Sequence, residues 1–453
     1  MRSKQSCVLV PASSIGKHYP VADDSKRTRL SNASPIREIS FYIGEHAIRL
    51  GLGAVVGVFV ARYLRPEGLG LLSYGASIFG LLVPMSSLGM RSILVRDFAT
   101  EENWRPFLVA GLSRQLPAAI LASVAGALLV MATRGFEPDA VAVALALSLL
   151  PIFSLGDTLR ALLEAKGRMR RIAVVSLSAV VVTSTLKIVA IVLDYPISVF
   201  ALLITVEAGV VAAGLFWERL KKGVIGSVRY HYSKEVAGRI VRESWPLLLA
   251  SVAVTLYMKV DIAMLGALAG NSETGIYVAA TRLSEVWYFV PVAAAAALRP
   301  RLSRHFKRGE TDTYQTLTQR FLSSSFATST VVAVFMWLAA RPLVDFIYGP
   351  EFSEATPVLQ IHIFAAPFVF MGVASSQWFI DHGLTRAVMM RAAVGAAVNI
   401  GINFLLIPAM GSTGAAIATL VSYAISAMIL NGLNPSTRPI FMMQLRALRV
   451  AWK

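Results

Sequence analysis

Residues 244–270 read SWPLLLASVAVTLYMKVDIAMLGALAG, a run that is long and apolar enough to cross a lipid bilayer as a helix. Two full charges, Lys259 and Asp261, interrupt it two positions apart. On a helix, positions i and i+2 point about 200° apart, so these side chains face different surroundings. The stretch predicts a membrane helix with Lys259 facing a wet interior and Asp261 serving as a structural or proton-linked partner, with Arg282 as the favoured counter-charge.

The composition places the chain among membrane proteins. Apolar residues make up 56% of the 453 and charged residues only 15%, which is outside the range of soluble globular chains. The single cysteine, Cys7, excludes a disulfide framework and a cysteine-based metal site. The six histidines are scattered without ligand spacing. We therefore expect neither a metal nor a cofactor.

Twelve apolar segments follow one another along the chain, each near the ~20 residues that a bilayer requires. They span 39–62, 69–91, 107–132, 139–160, 172–193, 197–217, 245–268, 275–298, 321–341, 355–380, 387–409 and 412–432. The sequence thus predicts an all-α polytopic membrane protein.

The distribution of basic residues predicts the topology. The net charge is +17, and dense basic clusters fall in alternate connections. They are Lys26/Arg27/Arg29, Arg91/Arg96/Arg105, Arg160/Lys166/Arg168/Arg170/Arg171, Arg219/Lys221/Lys222/Arg229, Arg299/Arg301/Arg304/Lys307/Arg308 and Arg446/Arg449/Lys453. About 34 of the 43 basic residues fall on this side and about four on the other, which predicts cytoplasmic termini and no nucleic-acid partner.

The longest connection divides the chain into two halves. ARYLRPEGLGLLSYGAS (61–77) is weakly echoed by LGALAGNSETGIYVAAT (265–281), with Gly70 matching Gly275. Six segments return the chain to the same side, so the repeat would be parallel, related by a pseudo-two-fold axis along the membrane normal. The predicted parts are a cytoplasmic tail 1–38 that is disordered or precedes the true start, a lobe 39–217, a cytoplasmic linker 218–244, a lobe 245–432 and a basic cytoplasmic tail 433–453.

Ionisable residues inside the apolar segments are candidate functional residues, because each costs about 2.5–3.5 kcal/mol to insert. The cations are Arg49, Lys187, Lys259 and Arg282, the acids are Glu45, Glu207, Asp261 and Glu285, and His46 lies among them. Helical spacing pairs Glu45 with Arg49 and Arg282 with Glu285. The open alternatives are structural ion pairs between helices and a charged cavity between the lobes.

Two further observations concern function. Trp287 and Tyr288 lie in mid-segment, where their rings either pack between helices or contact a sugar. The sequence has no phosphate loop, no G-x-S-x-G and no H-E-x-x-H, and its loops are too short for a catalytic domain. These absences favour transport over enzymatic activity.

Four long stretches resemble one superfamily of transporters. They are ARYLRPEGLGLLSYGASIFGLLVPMSSLGMRSILVRDFA (61–99), SWPLLLASVAVTLYMKVDIAMLGAL…TGIYVAATRLSEVWYFVPVAAAAALRPRLSR (244–304), YGPEFSEATPVLQIHIFAAPFVFMGVASSQWFIDHG (348–383) and GAAVNIGINFLLIPAMGSTGAAIATLVSYA (395–424). Over residues 40–432 the chain resembles polysaccharide transporters of the multidrug/oligosaccharidyl-lipid/polysaccharide exporter superfamily, in particular Wzx-type flippases of O-antigen and exopolysaccharide repeat units.

The resemblance implies a two-lobed carrier in the bacterial inner membrane. It would move an undecaprenyl-diphosphate-linked oligosaccharide between leaflets by alternating access, with membrane lipids and a polysaccharide polymerase and chain-length regulator as partners. Arg49, Lys187, Lys259 and Arg282 would meet the diphosphate or an acidic sugar, since guanidinium and ammonium groups bind phosphate. The alternatives are an ion-coupled multidrug exporter, a lipid II flippase, and a non-transporting scaffold for polysaccharide enzymes.

Overall fold

The computed structural model describes residues 35–101, 103–220 and 232–450, and every regular element in these ranges is a helix. The predicted tail 1–38 lies outside them except for its last residues, which begin the first helix. The first half contains α1 Pro35–Ser87, α2 Arg91–Thr100, α3 Arg105–Arg134, α4 Pro138–Leu147, α5 Leu150–Phe153, α6 Gly156–Ala165, α7 Met169–Val192 and α8 Ile197–Leu220.

The second half contains nine further α-helices and four short segments of other helix types. The α-helices are α9 Lys234–Ala269, α10 Asn271–Glu285, α11 Phe289–Lys307, α12 Thr311–Ile347, α13 Ala355–His362, α14 Ala366–Asp381, α15 Thr385–Ala424, α16 Leu430–Leu433 and α17 Arg438–Val450. The short segments are the 3₁₀ turns Val286–Tyr288, Pro350–Phe352 and Ile363–Ala365, and the π-helix Ile425–Ile429.

The described ranges contain nine helical stretches that are long and apolar enough to span a membrane. Two of them are broken, because α1 leaves helical geometry at Arg65 and α15 does so at Gly411. When each broken stretch is counted as two segments, the total in these ranges is eleven. Helices α10 and α11 together form the twelfth segment, at the predicted position 275–298. The twelve-segment, two-lobed architecture is therefore confirmed.

The turns between segments repeat from one half to the other. In the described residues, positive φ values occur at Arg65, Leu88, Gly89, Gly135, Gly167 and Asp194, and again at Gly270, Gly309, Gly349, Gly383 and Gly411. Each position lies in a connection between consecutive segments, and each of the five connections in one half has its counterpart in the other. Left-handed residues end helices and redirect the chain, so both halves are built with the same succession of turns.

The two halves cross at the pair of glycines that the sequence aligns. A Cβ placed on Gly70 would overlap the carbonyl oxygen of Asn271, and a Cβ on Gly275 would overlap the carbonyl oxygen of Pro66. Pro66 begins the helical turn that contains Gly70, and Asn271 begins the helical turn that contains Gly275. The contact is therefore reciprocal, as a two-fold relation requires, and only glycine permits this approach.

The lobes also meet at the end of the bundle opposite the basic clusters, hereafter the opposite end. Arg62 of α1 donates from Nε to the carbonyl oxygen of Ile347 (2.7 Å) and bonds the carbonyl of Phe346, at the end of α12. Nearby, Arg65 lies 3.4 Å from Glu351. Cations are favourable at a helix C-terminus, where carbonyls lack partners. These contacts join the lobes at the opposite end.

Two predicted boundaries differ from the structure. Residues 221–231 of the predicted linker lie outside the described ranges, but α9 begins at Lys234, and Ala237 and Ile240 are buried among N-terminal-lobe side chains. The predicted tail 433–453 contains α17, whose Ile440 and Ala447 are buried against the C-terminal lobe. Amphipathic periodicity in both stretches gives each helix an apolar face to bury.

Candidate functional site

Three charged side chains of the C-terminal lobe lie close together opposite α1. Lys259 is on α9, and Arg282 and Glu285 are one turn apart on α10. The Glu285 carboxylate lies within electrostatic range of both Lys259 and Arg282, and of Asp261. The structure thus brings together four of the eight candidate charges.

Glycines of α1 make room for the two cations. A Cβ on Gly80 would lie 3.3 Å from Cδ of Lys259, and a Cβ on Gly57 would lie 3.5 Å from Nη1 of Arg282. The two cations therefore face α1 of the N-terminal lobe. Arg282 remains exposed although it lies between α10 and α1.

The first segment adds a third cation with its own acid. Arg49 Nε lies 3.6 Å from Oε1 of Glu45, one turn earlier on α1, and Glu45 is buried. The i,i+4 pair predicted from the spacing is present. Gly57, which faces Arg282, follows Arg49 by about 12 Å of helix. Cations are thus distributed along the depth of α1 and its neighbours.

Lys187 and Glu207 pair with each other inside the N-terminal lobe. Lys187 Nζ on α7 lies 3.4 Å from Oε2 of Glu207 on α8, and the Thr183 hydroxyl donates to the same oxygen at 3.0 Å. Within the described ranges no bond links this pair to Arg282 or Lys259. Lys187 and Glu207 therefore form an ion pair between two helices, which is one of the two alternatives that the sequence leaves open.

Asp261 is buried and is bonded by neutral groups. Its carboxylate accepts hydrogen bonds from the hydroxyls of Tyr277 (2.8 Å) and Thr419 (2.6 Å) and from Nδ2 of Asn403 (2.9 Å). Arg282, the counter-charge that the residue pattern favours, is not among the bonding partners of Asp261 in the described part of the chain. The reason is geometric: Asp261 points into the C-terminal lobe, whereas Arg282 points toward α1.

Trp287 and Tyr288 lie where the eighth segment is broken. They belong to the 3₁₀ turn between α10 and α11, and both are partly buried against the core of the C-terminal lobe. Among the described residues neither Trp287 Nε1 nor the Tyr288 hydroxyl has a hydrogen-bond partner, although both atoms are buried. A role in contacting sugar stays a prediction.

Several polar residues of the C-terminal lobe were not singled out from the sequence. Asn399 and Asn403 are one turn apart on α15, and Thr419 follows the break at Gly411. The i,i+4 spacing of these two asparagines inside an apolar segment could have indicated a buried polar site from the sequence. Ser284 bonds Nδ1 of His362 at 2.6 Å, and both residues are buried.

No metal-ligand cluster of three or more histidine, cysteine or acidic side chains occurs in the ranges that the structure describes. The charged groups next to α1 are two cations, Lys259 and Arg282, with the Glu285 carboxylate nearby. Such an arrangement can bind an anionic group and balance it with local carboxylates.

Comparison with known proteins agrees with this fold. The family model described as "Polysaccharide biosynthesis protein" matches residues 36–306, and the model described as "MatE" matches residues 246–405. The first match covers more than half of the chain. The chain is thus a helical membrane protein of the multidrug/oligosaccharidyl-lipid/polysaccharide exporter superfamily, and it belongs to the polysaccharide biosynthesis protein family.

Curated relatives align over part of their length. The chain is 23% identical to "Probable low-salt glycan biosynthesis flippase Agl15" of Haloferax volcanii, over 40% of this chain and 38% of that protein. It is 24% identical to "Multidrug resistance protein NorM" of Aliivibrio fischeri, over 43% of each. The chain spans about two fifths of the length of these relatives.

Solved structures show the same fold over nearly the whole chain. The structure described as "Lipid II flippase MurJ, inward closed conformation" superposes with a TM-score of 0.69 at 14% identity, covering 91% of this chain and 92% of that one. An inward-facing multidrug transporter of the MATE family superposes with a TM-score of 0.63 at 16% identity, covering 92% and 99%.

Proposed function

We propose that the chain is a flippase that moves undecaprenyl-diphosphate-linked oligosaccharide repeat units from the cytoplasmic to the periplasmic leaflet of a bacterial inner membrane, for surface polysaccharide biosynthesis. Support comes from the polysaccharide biosynthesis family, from the similarity to a protein named as a glycan flippase, and from the shared fold. The polymerase and the chain-length regulator that use such repeat units belong to the same proposal as partners.

The chemistry of this substrate defines what a flippase must provide. A diphosphate cannot cross ~30 Å of hydrocarbon unaided, because burying a bare charge costs on the order of tens of kcal/mol, and each unpaired hydroxyl adds several more. A hydrated cavity with fixed cations lowers this barrier, since guanidinium groups bind phosphate oxygens in pairs. A two-lobed carrier opens such a cavity to one side at a time.

The observation that carries the proposal is the position of Arg282 and Lys259. Both face α1 across glycines, and Arg282 is exposed inside the bundle. We assign these two cations, together with Arg49, to the diphosphate or to an acidic sugar. Glu285 balances them when the site is empty, and Trp287 and Tyr288 offer ring faces to the sugars.

Lys187 and Glu207 have a supporting role in this proposal. Their ion pair joins α7 to α8 and leaves Lys187 less free to bind substrate than Arg282. Asp261 is assigned as the structural or proton-linked acid, because three neutral donors surround its carboxylate.

The proposal is tested by complementation in the source bacterium. Deleting the gene should abolish the surface polysaccharide, and the lipid-linked precursor should accumulate. Arg282→Gln and Lys259→Gln should each lower polysaccharide output about tenfold or more, because a charge-assisted contact contributes about 1.5–3 kcal/mol. Arg320→Gln, an exposed basic residue on α12, is the control and should complement fully.

Other outcomes identify the rival functions. Raised sensitivity to cationic drugs with normal polysaccharide would instead support an exporter, the function suggested by the MatE match over residues 246–405. Arrest of peptidoglycan synthesis would indicate a lipid II flippase. Full complementation by both cavity variants at normal expression would indicate a scaffold and contradict transport through this site.

A further inference from the structure

A column of buried polar side chains runs through the C-terminal lobe between α9 and the two halves of α15. It starts at Asp261, whose carboxylate accepts bonds from Asn403 and Thr419. Asn403 also donates to Oδ1 of Asn399 at 2.9 Å, and Asn399 Nδ2 lies 3.5 Å from the hydroxyl of Ser422. All five residues are buried. The column therefore extends from Asp261 toward the end of the bundle that carries the basic clusters, hereafter the basic end.

One turn further on, the column continues through Ser426. The hydroxyls of Tyr257 and Ser426 are 2.7 Å apart, and a Cβ on Gly395 would lie 2.8 Å from the Tyr257 ring. On α15, Asn399, Gly395 and Arg391 follow one another at four-residue spacing, so they share one helix face. That face leads from the environment of Asp261 to Arg391.

Arg391 occupies the basic end of the column. Its Nε donates to the carbonyl oxygen of Ser426 at 2.7 Å, and Nη2 lies 3.4 Å from the carbonyl oxygen of Ala427. The guanidinium carbon lies 4.7 Å from the centre of the Phe379 ring. The side chain is therefore fixed by two carbonyls and an aromatic face.

The π-helix Ile425–Ile429 provides these carbonyls. π-Helical turns shift the backbone hydrogen-bond register and frequently occur at functional sites. The Ala427 carbonyl also accepts from Asn431 Nδ2 and from Gln444 Nε2 of α17, each at 2.9 Å. The residues that hold Arg391 are thus themselves held by α17.

The charge of Arg391 is not cancelled by a carboxylate. Arg96 and Arg239 at the same end bond acidic side chains, at 2.9 Å and 2.8 Å from the carboxylate of Asp97. Arg391 takes part in no ion pair with an acid within residues 35–101, 103–220 and 232–450, and it donates to backbone carbonyls. A guanidinium without a carboxylate partner in the described ranges therefore stands at one end of the column, and the Asp261 carboxylate stands at the other.

We infer that Arg391 closes the basic end of the column to small cations, so that a proton or a sodium ion reaches Asp261 only from the cavity side, past Glu285. The inference rests on the proposed function, in which Asp261 is ion-linked. A cation that passed Arg391 would come close to a fixed like charge where water screens poorly. When the lobes part at the opposite end, one-sided access prevents ions from passing between the cavity and the basic end without transport of substrate.

The test is ion leakage in proteoliposomes that contain the full chain and no glycan substrate. A sodium gradient and a proton gradient are imposed separately, and a sodium-sensitive or pH-sensitive dye inside the vesicles reports flux. Arg391→Gln should raise the leak of at least one ion about tenfold or more, since the repulsion is removed. Adding Asp261→Asn should lower the leak again.

Matched variants define the controls. Arg386→Gln changes an exposed basic residue five positions earlier on α15 and should stay as tight as the unmodified protein. Arg391→Lys should also stay tight, because the charge remains. If Arg391→Gln does not reconstitute, Arg391→Met keeps the length and the contact with Phe379, and should leak in the same way. A reconstituted Arg391→Gln or Arg391→Met that leaks neither ion overturns the inference. Because no glycan is present, this outcome is distinguishable from failure of the flippase proposal, which complementation measures.

Discussion

The two lobes share a succession of turns but satisfy their interior polar groups differently. In the N-terminal lobe, charges pair with charges, as Lys187 with Glu207 shows at 3.4 Å. In the C-terminal lobe, the buried carboxylate of Asp261 is surrounded by neutral hydroxyl and amide donors. The difference teaches that a duplicated backbone plan leaves side-chain chemistry free to diverge. The N-terminal lobe pairs these two charges, and the C-terminal lobe holds a carboxylate that is bonded by neutral groups.

The shared backbone plan is most strongly tested at the glycine crossing. Gly275→Ala should lower the free energy of unfolding by about 3 kcal/mol or more, because its Cβ would overlap the Pro66 carbonyl and buried overpacking costs this much. Thermal unfolding in detergent measures the change. Gly53→Ala, where a Cβ meets nothing within 4 Å, is the control. Equal stability of the two variants would show that the lobes do not depend on this contact.

The next largest effect on stability is expected at Asp261, which three neutral donors of the C-terminal lobe surround. Asp261→Leu should destabilise the protein by about 2–3 kcal/mol, because it leaves buried donors of Tyr277, Asn403 and Thr419 without an acceptor. Asp261→Asn keeps one acceptor oxygen and should lower the free energy of unfolding by less. Denaturant unfolding compares the two variants. A Leu variant as stable as the Asn variant would contradict the role of the carboxylate as the common acceptor.

The ion pair of the N-terminal lobe should give the smallest effect. A double-mutant cycle of Lys187→Met and Glu207→Gln should give a coupling energy of about 0.5–1 kcal/mol, because both side chains are partly exposed and solvent screens the pair. The same unfolding measurement applies. A coupling energy larger than the loss caused by Asp261→Leu would reverse the comparison between the lobes.

Local features of the sequence predicted most of the fold. Hydropathy and basic-residue asymmetry gave twelve segments, and the Gly70/Gly275 match indicated the repeat that the crossing displays. The helical spacing of Glu45 and Arg49 predicted their pair correctly, because i,i+4 neighbours meet wherever the helix lies. The extension of α9 to Lys234 was missed, since its charged residues hide an apolar face that only packing against the N-terminal lobe reveals.

The sequence identified the intramembrane charges better than it predicted which groups they bond. Lys259, Arg282 and Glu285 lie close together in the structure. Two of the three groups that bond Asp261 lie more than 140 residues away on α15, and the third is Tyr277 of α10. Arg391 lies near the start of the predicted segment 387–409 and was not among the candidate charges, although it bonds backbone carbonyls inside the lobe.

The sequence by itself determined the membrane class, the number of segments, the repeat and the identity of the intramembrane charges, because these depend on local hydropathy and helical period. Only the tertiary structure decided which charges lie next to α1, which pair within a lobe, and that Arg391 stands at the end of a polar column. Such assignments depend on the rotation of each helix about its axis and on contacts between distant segments. Both are set by packing, which no local pattern encodes.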